Sequence, residues 1–270
     1  MAIDVIAPPA RSTGGADRAA RLREILAILD TEGAMPTLVL AQRVRVSGAT
    51  IRRDLAALEE RRLVVRHHGG VARTTTAEVP VELRDGTFWA AKSRIARRAA
   101  DLLPAGPLTL AINGGTTTAE VAKALTTRHD LTVVTNSLTI ALAFASGTGV
   151  RVVVNGGWLR TSSFELVGRL TESTFAAVRV SCAVIGVDGV SASAGLTTHD
   201  EAESRANRAM LQRADRVIVV ADGSKIGRTT AAHMADASQI TDLVTDTSAP
   251  RTELSRLAAA GVRVHEVAGP

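Results

Sequence analysis

Two adjacent arginines, Arg52 and Arg53, stand on an otherwise small-residue face of a predicted helix. Guanidinium groups bind phosphates and guanine edges through paired hydrogen bonds, so such a pair suits a polyanionic partner. Ser47 lies just upstream and is a good helix N-cap, which would place both arginines near the amino end of a helix. A surface helix with a solvated arginine pair is the commoner explanation of this pattern when it stands alone.

The faces of this helix differ in character. Ile51, Leu55 and Leu58 form one apolar stripe, because a helix turns by about 100° per residue. The other side carries small and basic residues: Ala49, Thr50, Arg53 and Ala57, with Arg52 beside them. Small side chains let a helix backbone approach a duplex, and its first amides favour phosphate. The candidate DNA contacts of this helix are Ser47, Ala49, Thr50, Arg52 and Arg53.

Neighbouring segments complete a DNA-binding module. Helical periodicity runs from about Arg18 to Asp30 and again over Thr37–Arg43. A strand over Leu63–Val65 then leads into a basic tip, Arg66-His67-His68-Gly69-Gly70. Helix, helix, turn, helix and hairpin predict a winged helix-turn-helix that can place one helix in the major groove. In the tip, the residues placed to touch the DNA backbone or minor groove are Arg66, His67 and His68.

Charge is distributed as a DNA partner would require. Up to Thr74 the chain has 12 Lys plus Arg against 8 Asp plus Glu, whereas the rest has 20 against 19. All 12 of the amino-terminal cations are arginine. The single Cys182 excludes a disulfide within one chain. We find no membrane span and no secretory signal in the sequence, so we expect a soluble, cytoplasmic protein.

Beyond about residue 90 the pattern changes to short β-branched runs that alternate with amphipathic stretches. The predicted strands are Leu108–Ile112, Thr132–Thr135, Arg151–Val154, Ala183–Val187, Val217–Ala221, Asp242–Thr245 and Arg263–Glu266. The predicted helices are Lys92–Leu103, Thr118–Thr126, Leu138–Ser146, Glu201–Arg213 and Arg251–Ala260. Apolar strands separated by helices predict an α/β fold with a mostly parallel sheet covered on both faces. We divide the chain into a disordered tail (1–17), the winged helix-turn-helix (18–74), a linker (75–90) and an effector-sensing α/β domain (91–270).

Five of these strands end in small, hydroxylated or acidic residues. The first leads into Gly114–Thr118, a Gly-Gly-Thr-Thr-Thr turn whose free amides and hydroxyls suit a phosphate. Asp188 and Asp222 end later strands and could accept from sugar hydroxyls, while Lys225 adds a positive charge. Ligands of open α/β sheets bind beyond the carboxyl ends of the strands. Each residue alone could equally be an ordinary turn residue, but five coinciding at one edge favour a ligand pocket.

Other chemistries lack their motifs. No Gly-x-Gly-x-x-Gly follows the first strand, and no P-loop motif is present, which argues against nucleotide chemistry. The histidines outside the hairpin are scattered and none has metal-ligand spacing. We therefore expect no catalytic residue, no metal site and no cofactor.

The block VSGATIRRDLAALEERRLVVRHHGG closely resembles the amino-terminal signature of DeoR-type bacterial transcriptional regulators. Val39 departs from the acidic residue common in the second helix. Resemblance continues through six motifs of the second domain: Gly114–Thr118, Val134–Leu138, Asn155–Gly157, Gly186–Val190, Gly195–Glu203 and Ala221–Gly227. It implies a fold akin to ribose-5-phosphate isomerase, a phosphorylated sugar or polyol as effector, a double-stranded DNA operator, and a homo-oligomer, dimer or tetramer.

The resemblance also implies roles for particular residues. Phosphate would be held by Gly115, Thr116 and Thr117. The remaining pocket would be lined by Thr135, Asn136, Asp188, Glu203, Asp222 and Lys225, and Lys92 also matches a basic family position. Together these features predict a repressor of a carbohydrate-utilisation operon, tuned on or released from its operator by the effector.

An enzyme is the alternative of a different class. An isomerase-like protein with an appended DNA-binding module would use Asp188 as acid or base on a sugar carbon. The isomerases have a second aspartate near their matching Asp-Gly, and the Gly186–Val190 turn lacks it. A pocket without a proton-transfer partner can bind without turnover. We therefore expect a regulator rather than an enzyme.

Overall fold

A computed structural model describes residues 13–67, 70–74, 77–84, 88–145 and 149–269 of the chain. Residues 1–12 of the predicted tail and His68 of the predicted tip lie outside these ranges. The chain divides into two compact units, residues 1–85 and 86–270. Each unit has its own hydrophobic core.

The first unit is built from helices and one hairpin. In chain order its elements are α1 (Thr13–Glu32), α2 (Thr37–Arg43), α3 (Gly48–Glu60), β1 (Val64–His67), β2 (Gly70–Arg73) and α4 (Val81–Arg84). Helix α1 begins at Thr13, earlier than the start expected near Arg18. Helix α4 falls within the predicted linker, because Val81 and Leu83 are buried and Leu83 joins the core of this unit.

The hairpin differs in detail from the prediction. Strand β1 runs to His67, so Arg66 and His67 lie within the strand rather than at the tip. Antiparallel pairing of His67 with Gly70 defines the end of the hairpin. At Gly70 the backbone has φ +148°, and a Cβ atom there would lie 2.2 Å from the carbonyl oxygen of Met35. Glycine therefore lets the hairpin pack directly on the segment that precedes α2.

The second unit alternates strands and helices. Its first half contains α5 (Trp89–Asp101), β3 (Leu108–Ile112), α6 (Thr116–Ala124), β4 (Leu131–Thr135), α7 (Leu138–Ala145), β5 (Arg151–Val154), β6 (Trp158–Arg160), β7 (Glu165–Val167) and α8 (Arg169–Ala177). Its second half contains β8 (Cys182–Gly186), β9 (Gly189–Ser191), β10 (Gly195–Thr198), α9 (Glu201–Leu211), β11 (Val217–Val220), β12 (Ala232–Ala235), β13 (Asp242–Asp246), α10 (Arg251–Ala259) and β14 (Arg263–Val267).

Seven strands form one parallel sheet in the order β14-β13-β11-β8-β3-β4-β5. They correspond to the seven predicted strands, so the expected α/β fold is confirmed. Alternate residues of β8 enter different cores: Ala183 and Ile185 join one, and Cys182 and Val184 join the other. Because alternate side chains point to opposite faces of a sheet, both faces are buried. The order of the sheet places the ends of β11, β8, β3 and β4 side by side.

Several elements of the second unit have no counterpart in the prediction. They are the β6–β7 hairpin, helix α8, and a small antiparallel sheet in the order β12-β10-β9. Strands β6, β7 and β9 have three residues each, which is too short to give a clear period. Within the described residues, every helix is too short or too polar to cross a lipid bilayer.

Candidate functional site

Helix α3 has the predicted cap and the predicted buried face. The Ser47 hydroxyl accepts from the Thr50 amide at 3.1 Å and lies 2.9 Å from the Thr50 hydroxyl. Ile51, Leu55 and Leu58 are fully buried in the core of the first unit. Their burial fixes which side of the helix faces solvent.

The solvent-facing side carries the arginine pair. Ala49, Arg52 and Arg53 are exposed, and Thr50 is half-buried. Within the described parts of the chain, neither Arg52 nor Arg53 has a hydrogen-bonding or ion-pairing partner. Their guanidinium groups are therefore available to phosphates or base edges without first breaking a protein contact.

An ion pair anchors α3 from its buried side. Asp54 is buried on α3, and its carboxylate accepts from Arg21 Nε of α1 at 2.6 Å. Arg18 Nε, also on α1, lies 3.4 Å from the same carboxylate. Asp54 thus holds α3 against α1 with its arginines directed outward. The spacing of apolar residues gave no signal for this anchor.

In the hairpin, the predicted DNA-contacting residue Arg66 already has a partner within the protein, unlike Arg52 and Arg53 among the residues that the structure describes. Arg66 Nε donates to Glu59 Oε2 of α3 at 2.8 Å, which ties β1 to the end of that helix. His67 is exposed on β1. These two residues extend the basic surface of α3 along the hairpin.

In the second unit, the Gly-Gly-Thr-Thr-Thr turn is the start of α6 itself. Gly115 is its N-cap, with φ +138°, and the first helical hydrogen bond runs from the Ala119 amide to the Gly115 carbonyl. Helix α6 therefore begins at Thr116, two residues before the predicted start. The first amides of a helix have no acceptor within it, so those of Thr116 and Thr117 suit an oxyanion. Thr118 turns its hydroxyl back to the Gly115 carbonyl at 3.1 Å.

Thr135 and Asn136, at the carboxyl end of β4, differ in whether their polar atoms are already used by the protein. The Thr135 hydroxyl hydrogen-bonds to the backbone: it donates to the Ile112 carbonyl at 2.6 Å and accepts from the Ser137 amide at 3.0 Å. Asn136 donates from Nδ2 to the Leu166 carbonyl at 3.0 Å. Its Oδ1 atom is buried and has no hydrogen-bonding partner among the described residues. Buried polar atoms are rarely left unpaired, so Asn136 Oδ1 is the better candidate for a ligand contact.

Hydrogen bonds join the carboxylates at the end of β8 and the start of α9. Thr198 Oγ1 lies 3.0 Å from Asp188 Oδ2 and 3.0 Å from Glu203 Oε2. Arg160 of β6 donates to Glu203 Oε1 at 2.9 Å and pairs with Asp200 Oδ2 at 3.2 Å. Burial alone would raise the pKa of Asp200, but the Glu203 amide and the charge of Arg160 hold it below its usual value. The structure thus brings together Asp188 and Glu203.

Glu165 joins this network to the α6 turn. Its carboxyl accepts from the Gly114 amide and contacts Glu203. Burial raises the pKa of Glu165 well above its usual value, and the nearby Glu203 and Asp188 raise it further. A lone acidic residue in the apolar run Phe164–Val167 is the signal that could have revealed it.

The last predicted residues lie on neighbouring elements. Asp222 is buried after β11, where it caps the short turn Gly223–Lys225 by accepting from the Ser224 amide at 3.1 Å. Lys225 is half-buried at the end of that turn. Lys92 is buried on α5, which packs against α6.

Two family models match the chain. The DeoR-like helix-turn-helix domain covers residues 21–77, and the DeoR C-terminal sensor domain covers residues 88–247. The chain belongs to the DeoR family. It is a DNA-binding transcriptional regulator in which α3 is part of the family's helix-turn-helix and the α6 turn is part of its sensor domain.

Curated relatives agree with membership in the DeoR family. The putative aga operon transcriptional repressor of Escherichia coli O157:H7 is 32% identical and covers 94% of each chain. The glycerol-3-phosphate regulon repressor of Escherichia coli (strain K12) is 34% identical over 84% of this chain and 90% of the relative. Because these relatives are named as repressors, they support a regulator over the isomerase-like enzyme.

Among solved structures, ribose 5-phosphate isomerase A from Methanocaldococcus jannaschii overlaps with 50% of this chain and 52% of its own. The identity is 16% and the TM-score 0.37, which is too low to decide fold or function.

Proposed function

We propose that this DeoR-family regulator represses a carbohydrate-utilisation operon by binding a double-stranded DNA operator, and that a phosphorylated sugar or polyol tunes or releases it. The relatives named for the aga operon and the glycerol-3-phosphate regulon support this class of target. The observation that carries the proposal is the exposed, unpartnered pair Arg52 and Arg53 on a helix whose opposite face is buried.

DNA binding is assigned to α3 and the hairpin. The first turn of α3 offers its amino end and small side chains to the duplex, and the arginines follow one turn later. The residues that make contact are Ser47, Ala49, Thr50, Arg52, Arg53, Arg66, His67 and His68.

Effector binding is assigned to the carboxyl ends of the parallel strands. The phosphate binds at Gly115, Thr116 and Thr117, where the helix amides and dipole favour an anion. The hydroxyl-bearing part binds along the other polar strand ends. The residues that line this part are Lys92, Thr135, Asn136, Asp188, Glu203, Asp222 and Lys225, of which Thr135 shapes the site through its backbone contacts.

The proposal includes assembly and coupling. We place the regulator in the cytoplasm as a homo-oligomer, a dimer or tetramer, because paired recognition helices read repeated half-sites. The two sites belong to different units, so effector and operator are coupled through a change in domain or subunit arrangement.

The test uses DNA from upstream of the gene itself. Fluorescence anisotropy of a labelled upstream fragment should show tighter binding than a scrambled fragment of equal length and composition. A panel of pentose, hexose and polyol phosphates should contain at least one compound that changes this binding. No preference for the upstream fragment, with or without these compounds, would refute the proposed function. Conversion of any sugar phosphate well above background would instead favour the enzyme.

A further inference from the structure

Glu165 occupies a position next to the proposed phosphate site. Its carboxyl accepts a hydrogen bond from the amide of Gly114, the residue that precedes the turn Gly115–Thr117. Glu165 is only 3% exposed. The amide just before the turn is therefore already hydrogen-bonded to a carboxyl of the protein itself.

The contact leaves no room for a second occupant. A Cβ atom added at Gly114 would lie 2.6 Å from Glu165 Cγ and 2.9 Å from Glu165 Oε1. Because the Glu165 side chain lies directly against the Gly114 backbone, an incoming anion cannot reach this amide while the side chain is in place.

Backbone hydrogen bonds on both sides of Glu165 fix its position. The Leu138 amide donates to the Phe164 carbonyl at 3.0 Å, and the Leu166 amide donates to the Asn136 carbonyl at 2.7 Å. Asn136 Nδ2 returns a hydrogen bond to the Leu166 carbonyl at 3.0 Å. The β6–β7 hairpin thus holds Glu165 in place through backbone hydrogen bonds to the segment after β4.

Charged groups from three neighbouring elements face this carboxyl. Glu203 of α9 and Asp188 at the end of β8 act on Glu165 directly, and Arg160 of β6 neutralises Glu203 at 2.9 Å. Asp200 at the start of α9 lies beyond, paired with Arg160. With burial and two nearby carboxylates raising the pKa of Glu165, its neutral form is favoured. A neutral acid can adjoin a bound oxyanion, whereas an ionised one would repel it.

We propose that Glu165 is a specificity-determining residue of the effector site, which blocks the Gly114 amide and confines the ligand's oxyanion to the amides of Gly115–Thr117. This inference rests on the proposed phosphate site. A bare tetrahedral anion then binds weakly, because the Gly114 amide is not available to it. The hydroxyl groups of the effector must supply the remaining affinity.

Sulfate is the probe, because it keeps its charge across the pH range used and binds helix amino termini. Titration calorimetry is performed on the full chain in an R52A/R53A background, so that the DNA-binding helix does not bind the anion. In this background E165A frees the Gly114 amide, and sulfate affinity should rise by about tenfold or more. The control E266Q, on the edge strand β14, should bind sulfate like the background protein.

Circular dichroism would reveal whether E165A folds. If it does not fold, a second variant, E165Q, tests the proposal independently. Gln at position 165 keeps the shape and the contact to the Gly114 amide but cannot ionise. Sulfate affinity of the background protein should fall as the pH is raised and Glu165 ionises, while that of E165Q should fall less.

The outcomes separate the two proposals. Equal sulfate affinity of E165A and the background protein would overturn the role of Glu165 and leave the α6 turn as an anion site. The same pH dependence in E165Q and the background protein would also overturn it. No sulfate binding by any variant would overturn the phosphate site, and this inference with it.

Discussion

On α3 the candidate ligand-binding charges lie in solvent, whereas at the carboxyl ends of the sheet they lie inside a network. Arg52 and Arg53 are exposed and have no partner among the described residues. Asp188 and Glu203 are buried and share the Thr198 hydroxyl. The two units of one chain thus hold their candidate binding groups in opposite environments.

The difference fits the proposed ligands, a DNA duplex for the first unit and a phosphorylated sugar or polyol for the second. A duplex is a large polyanion that is held by exposed cations, with a strong dependence on salt. A small polar molecule must replace water in a pocket whose groups are already oriented. Substitutions on the exposed side of α3 should therefore alter binding without altering the fold. Substitutions at the strand ends should affect both.

The largest expected effect is a loss of stability in the first unit, where a buried core holds the exposed arginines in place. Leu55 is fully buried beneath the arginine pair. Leu55→Ala should lower the unfolding free energy of this unit by about 2–5 kcal/mol, and operator affinity with it. Leu38, on α2, is 69% exposed, so Leu38→Ala should change stability by no more than about 0.5 kcal/mol. Urea denaturation followed by circular dichroism measures both, and equal losses would contradict the assigned burial.

The next effect tests whether an exposed arginine acts only in binding. Arg53→Ala should weaken operator binding by about 1–3 kcal/mol if Arg53 reads a base, or lower the salt slope by about one if it contacts phosphate. Its unfolding midpoint should not change. Arg97→Ala removes an exposed arginine from α5 and serves as the matched control. If affinity and salt slope both stay at the wild-type values, α3 does not lie at the interface.

A smaller effect is expected at the other site. Lys225→Ala should weaken effector binding by about tenfold, because one charged contact to the ligand is lost, and operator binding without effector should persist. Lys123→Ala, which removes an exposed lysine of α6, is the control. Anisotropy of the labelled operator under increasing effector gives the readout. Normal release of DNA by the Lys225 variant would refute the pocket assignment.

The smallest effect concerns a carboxylate outside both sites. Asp242 is buried and accepts contacts from Arg216 at 2.8 Å, Arg263 at 3.0 Å and His265 at 2.8 Å. Burial alone would raise its pKa, but these contacts, Arg263 foremost, hold the pKa of Asp242 far below its usual value. A depressed folded-state pKa means that the stabilisation is present above the unfolded pKa and is lost as the pH falls.

Acid titration measures this contribution. The wild-type unfolding midpoint in urea should fall progressively as the pH drops below about 5, and that of Asp242→Asn should fall less steeply. Parallel curves for the two proteins would show that Asp242 does not contribute to acid sensitivity.

Regular periodicity made the seven strands and α3 predictable. Runs such as Val217–Val220 are apolar throughout because both faces of the sheet are covered, and Ile51, Leu55 and Leu58 mark one side of a helix. The Gly-Gly-Thr-Thr-Thr turn was also visible, since glycine and threonine at a strand end favour a helix start. For these features, local sequence and tertiary structure agree.

Features that depend on distant contacts were not predictable. Glu165 lies in a three-residue strand whose position depends on hydrogen bonds to the segment after β4. The apolar spacing of α3 assigns no role to Asp54, and only its hydrogen bond with Arg21 of α1 reveals one. Thr135 matched a pocket motif, yet its hydroxyl is used by the Ile112 carbonyl and the Ser137 amide. Contacts between residues that are far apart in the chain produce no periodic pattern in a single sequence.

Cys182, the chain's single cysteine, lies in one of the two cores of the sheet and is 1% exposed. Burial raises the pKa of its thiol to about 12, so the reactive thiolate is scarce at neutral pH. The native protein should therefore resist maleimide reagents. A cysteine engineered on the exposed side of α3 or α5 would then accept a fluorescent label selectively, with the wild-type chain as its own background.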